Sequence, residues 1–170
     1  MNKTNLIISE VVENNLHEFS KLCGRCAEDI MFSMGAMGDQ YLIAKQNDKP
    51  VGYATITFNK NHKAAFISFR KEESVALPLY KRLVETLLCE AEKIADKEGC
   101  VVIYDYNGLE NISTTNEGEI LNEVFCEKGY SLEKLFNDSS SRKTLYGKCL
   151  GNADFKPYLS EGVWGMGFES

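Results

Sequence analysis

Apolar and polar positions along the chain follow two different periods, and each period predicts one kind of element. Between residues 80 and 95, apolar side chains recur at steps of three, four and one, the spacing of one helix face. These positions are Tyr80, Leu83, Val84, Leu87, Leu88, Ala91, Ile94 and Ala95. The pattern predicts a long amphipathic helix that Gly99 ends, with either Ser74 as its cap or Pro78 at its first position.

Two apolar runs flank this helix, at residues 64–70 and 100–106, and both predict strands. A strand, a helix and a second strand of these lengths form a right-handed crossover, which places the two strands parallel in one sheet. We therefore expect the function of the protein to lie where this helix begins.

Before the crossover, residues 6–9 predict a short strand and residues 11–29 predict a single helix. Residues 31–38 predict a loop or a broken second helix that is rich in methionine. Those methionines either plug the edge of the core or line an adaptable pocket, and we favour the first interpretation.

The remaining segments up to residue 149 predict antiparallel strands and one more helix. Three strands joined by polar turns form a meander over residues 41–45, 51–58 and 64–70. A helix at residues 117–128, ended by Gly129, and a hairpin follow the polar link of residues 107–116. The hairpin strands cover residues 130–136 and 142–149. The sum is an α/β (α+β) fold, a mixed sheet of about six or seven strands with flanking helices and one parallel crossover.

Length and composition fit one globular domain with a full core. The chain has 170 residues, of which 44% are hydrophobic. We assign residues 1–150 to the domain and residues 151–170 to a tail rich in glycine and aromatic residues. Because disordered segments rarely contain so many aromatic side chains, we expect the tail to pack on the domain or a partner, with a frayed terminus as the alternative.

The charge balance argues against two classes of partner. The formal net charge of −6 and the pI near 5.1 disfavour nucleic acid and anionic membranes, since phosphate contacts need a basic face. No segment approaches the roughly 20 apolar residues of a membrane span, and the first residues do not resemble a signal peptide. We expect a cytoplasmic protein.

One cysteine pair stands out among the six cysteines of the chain. Cys23 and Cys26 form a C-x-x-C motif, which in other settings is a redox dithiol or half of a zinc site. Here a helical apolar stripe precedes the motif, and no second ligand pair follows it. We therefore interpret these residues as ordinary thiols and expect no metal, with a thiol-based redox or zinc protein as the least favoured alternative.

The order of elements resembles the GNAT superfamily of acyl-CoA-dependent N-acyltransferases, and three local strings support this over residues 6–150. Residues 41–54 are similar to the family's second and third strands, including a V-G-x-A string at residues 51–54. Residues 87–99 resemble the second half of its crossover helix. Residues 125–130, FCEKGY, resemble its Y-x-K-x-G-F closing motif with one residue fewer between lysine and glycine.

The resemblance implies transfer of an acetyl or other short acyl group from acyl-CoA to an amine of a small molecule or protein. Acetyl-CoA would be the cosubstrate, with its pantetheine arm in the splay between the fourth and fifth strands. The family's pyrophosphate motif, R/Q-x-x-G-x-G/A, aligns with residues 79–84, LYKRLV, which contain no glycine. The implied cofactor-binding residues are Ser68, Phe69, Arg70, Lys81, Arg82, Leu83 and Val84.

The implied catalytic groups also depart from the family pattern. A tyrosine of the closing motif protonates the leaving thiolate in many members, but Phe125 occupies that position and has no proton to donate. Replacement donors would be Tyr104, Tyr106 or Tyr130, and candidate bases are Asp105, Glu72 and Glu73. We predict Asp105, Tyr106 and Glu73 as the catalytic set.

Besides the thiol-based protein, two interpretations of the function stay open, an acyltransferase and a protein without catalysis. For the acyltransferase, the acceptor is either a small-molecule or a peptide amine. The aromatic tail and hairpin are compatible with a homodimer. The alternative to an enzyme is a catalytically silent GNAT-like binding or regulatory module, which the missing glycines and Phe125 favour.

Overall fold

The computed structural model describes residues 5–105, 116–137 and 142–150, and for residues 133–137 and 142–144 it describes the backbone alone. Tyr106, most of the predicted polar link, the loop of the last hairpin and the tail from residue 151 lie outside the described residues.

Seven strands form one mixed sheet in the order β1-β2-β3-β4-β5-β7-β6. The strands are β1 (Leu6–Glu10), β2 (Gln40–Gln46), β3 (Lys49–Asn59), β4 (Ala64–Lys71), β5 (Val102–Asp105), β6 (Ser131–Asn137) and β7 (Arg142–Cys149). Among the strands that the structure describes, β4 and β5 run parallel, and every other pair is antiparallel. The predicted mixed sheet with a single parallel crossover is confirmed.

The crossover helix buries the predicted stripe. The described helices are α1 (Leu16–Cys23), α2 (Ala27–Ala36), α3 (Leu77–Lys97) and α4 (Asn116–Glu127), with a short 3-10 turn at Glu13–Asn15. All eight predicted positions of α3 are buried, each burial contributing about 1.5–3 kcal/mol for a large apolar side chain. Gly99, with φ of 81°, follows the helix end in the left-handed conformation.

The single helix predicted for residues 11–29 is wrong. Gly24, with φ of 74°, ends α1 in the left-handed conformation, and its amide donates to the Ser20 carbonyl at 3.0 Å. Cys26 then adopts an extended conformation and precedes α2, which continues to Ala36 through the segment predicted as a loop or broken helix. Apolar residues continue across the break, so the period alone did not reveal it.

Helices cover both faces of the sheet, and two separate apolar clusters result. Alternating residues of β2 show the division, because Leu42 and Ala44 pack with α3 while Tyr41 and Ile43 pack with α1 and α2. Gly52 on β3 allows α3 to approach closely, since a Cβ atom there would lie 2.5 Å from Leu83 Cδ2. The V-G-x-A string therefore has a packing role in positioning α3 on the sheet.

No helix among the described residues is both long enough and apolar enough to cross a bilayer.

Candidate functional site

The parallel strands separate at one end of the sheet. β4 pairs with β5 from Ala64 and Val102 to Ile67 and Asp105. Beyond that point β4 continues through residues 68–71, which still pair with β3. We call residues 68–71 the β4 extension, and it forms one side of a splay between β4 and β5.

Backbone directions in the β4 extension follow from the ladder. The Glu72 amide donates to the Val51 carbonyl at 2.9 Å, so Glu72 directs its backbone groups towards β3. Because these directions alternate along a strand, the backbone groups of Phe69 and Lys71 point towards the β5 side. The Val101 amide donates to the Lys63 carbonyl at 2.7 Å, which gives the same parity from the other end of β4.

The start of α3 lies five residues beyond the β4 extension, with residues 72–76 between them. Ala76 is the N-cap residue, and its carbonyl accepts from the Tyr80 amide at 3.0 Å. The amides of Ala76, Leu77 and Leu79 therefore have no partner within the helix, and Pro78 has no amide to offer. Such a helix start attracts anions through its amides and its dipole.

Neither predicted start of α3 has the predicted form. Ser74 does not cap the helix, because its hydroxyl and its amide both bond the Glu72 carboxylate. These bonds lower the pKa of Glu72, so the carboxylate stays ionised next to the helix start. Pro78 occupies the second helical position, one later than predicted.

Lysine and glutamate side chains hold α4 against the start of α3. The Lys71 ammonium lies 3.4 Å from a carboxylate oxygen of Glu117 and 3.4 Å from the Glu73 carbonyl. The Lys81 ammonium lies 2.9 Å from Glu123 and 3.4 Å from Glu127, and these contacts raise the pKa of Lys81. Lys71 thus links α4 to the β4 extension, and Lys81 links α4 to the first turns of α3.

The predicted cofactor-binding residues fall into two groups. Ser68, Phe69 and Arg70 belong to the β4 extension, with Phe69 in the core and Arg70 exposed. The other four residues lie within the first two turns of α3 rather than ahead of them, and they are Lys81, Arg82, Leu83 and Val84. Leu83 and Val84 are fully buried against the sheet, Lys81 faces α4, and Arg82 is exposed.

The predicted catalytic residues are partly described. Asp105 ends β5 and is only 1% exposed, on the same face as Ile103 and therefore on the side of α3 and α4. Glu73 is exposed in the link before α3, and Tyr106 lies outside the described residues. The structure thus places Asp105 at the splay and Glu73 in the exposed link before α3.

Phe125 occupies a closed aromatic cluster. Its ring stacks on Tyr146 at 5.7 Å between centroids and contacts Tyr130 at 4.9 Å and Phe69 at 6.1 Å. It is fully buried, so the position aligned with the family tyrosine packs α4 onto the β4 extension.

The two described tyrosines that could replace it differ in environment. Tyr104 is 1% exposed and stacks on Phe66 at 5.4 Å, on the face opposite Asp105. The Tyr130 hydroxyl donates to Glu92 at 2.9 Å. Burial, followed by the charges of Glu92 and Asp105, raises the pKa of Tyr130, so the phenol holds its proton tightly.

Cys23 and Cys26 lie on either side of the break between α1 and α2, and both are free thiols. Within the described part of the chain, no group of three or more histidine, cysteine, aspartate or glutamate side chains could hold a metal ion.

Sequence reasoning missed the amides of Ala76, Leu77 and Leu79 and the position of Lys71. Aligning the end of α3 with the family placed the pyrophosphate motif at residues 79–84, whereas the helix begins at Leu77. Pro78 was the available signal, since proline favours the first turn of a helix.

Comparisons of the sequence find no matching protein-family model and no matching curated protein. Comparisons of the structure find many similar folds. The protein yncA from Salmonella typhimurium, solved with its cofactor acetyl-CoA, superimposes with a TM-score of 0.65 and 12% identity, covering 87% of this chain and 95% of that one. The aminoglycoside 6'-N-acetyltransferase from Enterococcus faecium gives a TM-score of 0.65 and 16% identity over 87% and 99% of the two chains.

An acetyltransferase of the GNAT family from Streptococcus pneumoniae gives a TM-score of 0.66 at 15% identity, over 86% of this chain and 100% of that one. The strand order, the parallel pair and the helix that follows β4 agree with these similarities. The protein therefore has the GNAT acetyltransferase fold.

Proposed function

We propose that the protein transfers an acetyl or other short acyl group from acyl-CoA to an amine. The observation that supports this most directly is the β4 extension, which continues past the last β4–β5 pair beside the open start of α3. In this fold that arrangement offers a slot for a thioester-bearing arm and an anion-binding helix start at its end. The similar protein yncA was solved with acetyl-CoA.

The β4 extension and the start of α3 bind different parts of the donor. Backbone groups of Phe69 and Lys71 point into the splay, where they exchange hydrogen bonds with the amides of the pantetheine arm. The amides of Ala76, Leu77 and Leu79 face the diphosphate. Lys71 and Arg82 offset the negative charge that Glu72 and Glu73 place beside it.

The reaction is a direct transfer. The lone pair of a neutral amine attacks the thioester carbonyl carbon, the new C–N bond forms, and the C–S bond breaks as the thiolate leaves with its electron pair. The amine nitrogen loses a proton to a base and the thiolate takes one up. Asp105 is the candidate base, since it lies at the splay, and Tyr106 and Glu73 remain candidates for the other transfer. Holding both reactants in the splay supplies much of the rate by proximity.

The acceptor is a small-molecule amine in this proposal. The name of the Enterococcus faecium enzyme states that it acetylates an aminoglycoside, and that structure covers 87% of this chain. A peptide amine is the alternative acceptor. In this proposal the protein acts in the cytoplasm, and its assembly is a homodimer or a monomer.

Phe125 favours a second candidate function, a binding or regulatory module without catalysis. It stands where the family has a proton donor, and it is fully buried among three aromatic rings. The missing glycines at the start of α3 point in the same direction. This module would bind a ligand in the splay and release no coenzyme A.

Isothermal titration of the protein with acetyl-CoA tests the donor site. We expect micromolar binding, and a donor at a hundredfold excess over Kd stabilises the fold by about 2.7 kcal/mol, which raises the melting temperature by about 5–10 °C. A flat titration and an unchanged melting temperature at millimolar acetyl-CoA would remove the proposal.

Two charge reversals on α3 locate the binding. Arg82→Glu lies near the helix start, and we expect it to weaken acetyl-CoA binding about threefold to tenfold. Lys93→Glu changes the same charge about 16 Å further along the helix and serves as the matched control with unchanged binding. Equal effects of the two variants would place the donor elsewhere.

An amine panel separates the enzyme from the silent module. Product formation is followed by chromatography and mass spectrometry, because thiol reagents would also report the exposed cysteines of the protein. Acetylation of one amine supports the enzyme, whereas donor binding with no product across aminoglycosides, polyamines, amino acids and peptides supports the module.

A further inference from the structure

A groove of about 750 Å³ lies at the end of the sheet away from the start of α3. It is formed by the end of α2 and its link to β2, the end of β3 and its turn to β4, and the residues that directly follow α3. A second hollow of about 300 Å³ shares Met34, Gln40 and Glu98 with it. The 21 residues of α3 separate this groove from the candidate donor site by about 30 Å.

The groove has walls of opposite charge. Lys60 and Lys63 come from the turn between β3 and β4, while Asp39 precedes β2 and Glu98 follows α3. Among the described residues, none of these four side chains forms a salt bridge with another. The Glu98 carboxylate accepts a hydrogen bond from the side-chain amide of Gln40 at 3.4 Å, and Asp39 interacts with the Ser33 hydroxyl. Two positive and two negative side chains therefore line the same groove without pairing with one another.

Within the acidic wall, Asp39 is partly withdrawn from water, while Glu98 is exposed. Burial raises the pKa of Asp39, although the Ser33 hydroxyl and the Arg25 charge act in the opposite direction. A carboxylate that has lost part of its hydration gains more from an arriving cation than a fully solvated one does.

The backbone of Lys63, one of the two lysines of the basic wall, has an uncommon conformation. Lys63 has φ of 50°, a left-handed value that lysine rarely adopts. Its amide donates to the Lys60 carbonyl at 3.3 Å, and its carbonyl accepts from the Val101 amide at 2.7 Å. Backbone hydrogen bonds thus hold the turn at Lys63, and both lysine side chains are exposed at the edge of the groove.

The groove is also lined by the apolar side chains of Met34, Phe58 and Cys100 and by the polar side chains of Gln40 and Asn59. The volume is within the range of small-molecule sites, which are mostly apolar with a few polar groups that orient the ligand. We propose that this groove binds a free amino acid as a zwitterion. Its ammonium group contacts Asp39 and Glu98, its carboxylate contacts Lys60 and Lys63, and its side chain packs on Met34 and Phe58.

The test uses the full chain and does not depend on acyl transfer. Each of the twenty amino acids at 5 mM is screened by thermal shift, and those that raise the melting temperature are measured by isothermal titration. We expect at least one to bind with a submillimolar Kd. Its methyl ester, which lacks the carboxylate, and its N-acetyl derivative, which lacks the ammonium, should each bind about tenfold more weakly.

Variants then locate the site. Lys60→Gln combined with Lys63→Asn removes the basic wall, and asparagine tolerates the left-handed conformation. We expect about a hundredfold weaker binding, whereas Lys93→Gln, which changes an exposed lysine on α3 outside the groove, should leave binding unchanged. On the acidic wall, the test variant is Asp39→Asn. Glu98→Gln, which keeps the shape of that wall, replaces it if Asp39→Asn fails to fold. The proposal is overturned if no amino acid binds, or if binding persists in the variant without the basic wall.

Discussion

Gly52 on β3 lies directly against Leu83 on α3, and this contact sets how closely the crossover helix approaches the sheet. A Cβ atom on Gly52 would lie 2.5 Å from Leu83 Cδ2 and 2.7 Å from the Arg70 carbonyl oxygen. The side chain of Leu83 could rotate, but the Arg70 carbonyl belongs to the β4 backbone and cannot move without shifting the β4 extension.

Gly52→Ala should therefore destabilise the protein by about 1–3 kcal/mol, because the added methyl group overpacks the interface of β3, β4 and α3. Urea denaturation measures the free energy of unfolding. Gly35→Ala is the matched control, since Gly35 is inside α2 with no atom within 4 Å of the new Cβ, and alanine there should add about 0.5–1 kcal/mol of stability. Equal effects of the two substitutions would contradict the close contact.

Tyr130, directly before β6, links the hairpin of β6 and β7 to α3 through Glu92. The phenol donates to the Glu92 carboxylate at 2.9 Å, and the Lys148 ammonium lies 3.0 Å from the same oxygen. Tyr130→Phe should cost about 1–2 kcal/mol at pH 8, since a buried bond to a charged acceptor is lost while Lys148 still compensates Glu92. Chemical denaturation of both proteins provides the comparison.

The stability that the Tyr130–Glu92 hydrogen bond contributes should depend on pH. The pKa of Tyr130 is raised in the folded state, so above pH 10 the unfolded chain loses this proton more readily and the folded state loses its advantage. The difference in stability between the native protein and Tyr130→Phe should shrink above about pH 10, by up to about 1.4 kcal/mol per pH unit. A difference that stays constant from pH 8 to pH 11 would argue against the raised pKa.

Tyr41 anchors the junction of α1 and α2 to the sheet. Its hydroxyl accepts from the Arg25 guanidinium at 3.0 Å and shares a hydrogen bond with Ser33 at 2.5 Å, and the residue is 2% exposed. Tyr41→Phe should destabilise by about 1–2 kcal/mol because the buried Ser33 hydroxyl loses this partner. A double-mutant cycle with Arg25→Gln should show a coupling of about 0.5 kcal/mol or more, and strict additivity would mean that the two side chains do not interact.

Cys100 should be the least reactive of the described thiols. Burial, with a smaller contribution from Glu98, raises its pKa to about 11, so little thiolate exists at pH 8. Iodoacetamide at pH 8, followed by peptide mass spectrometry, should modify Cys26, Cys89, Cys126 and Cys149 first, all of which are exposed. Denatured protein is the control in which Cys100 reacts with the others, and early modification of Cys100 in the native protein would contradict its burial.

Much of the architecture followed from the sequence because local periods report burial directly. The stripe of α3 required one covered face, and alternation in the meander required a sheet, so a mixed sheet with one parallel crossover could be predicted from the sequence. Gly99 and Gly129 ended their helices as predicted, since glycine adopts the left-handed conformation without a steric penalty.

Features that depend on exact chain geometry were decided only by the tertiary structure. Gly24 divides the first helical segment although apolar residues continue across it, and the start of α3 falls at Leu77 rather than within the aligned motif. The position of Phe125 among three aromatic rings likewise depends on how α4 packs on the β4 extension.

The two sites show the same division. Residues 68–70 could be assigned to the end of a strand from their pattern, but the splay depends on where β5 stops pairing, and no period in one strand reports the length of its neighbour. The groove unites Asp39, Lys60, Lys63 and Glu98 from three separate links. Short periods along a chain specify which side of an element is buried, whereas contacts between distant links arise only when all the elements pack together.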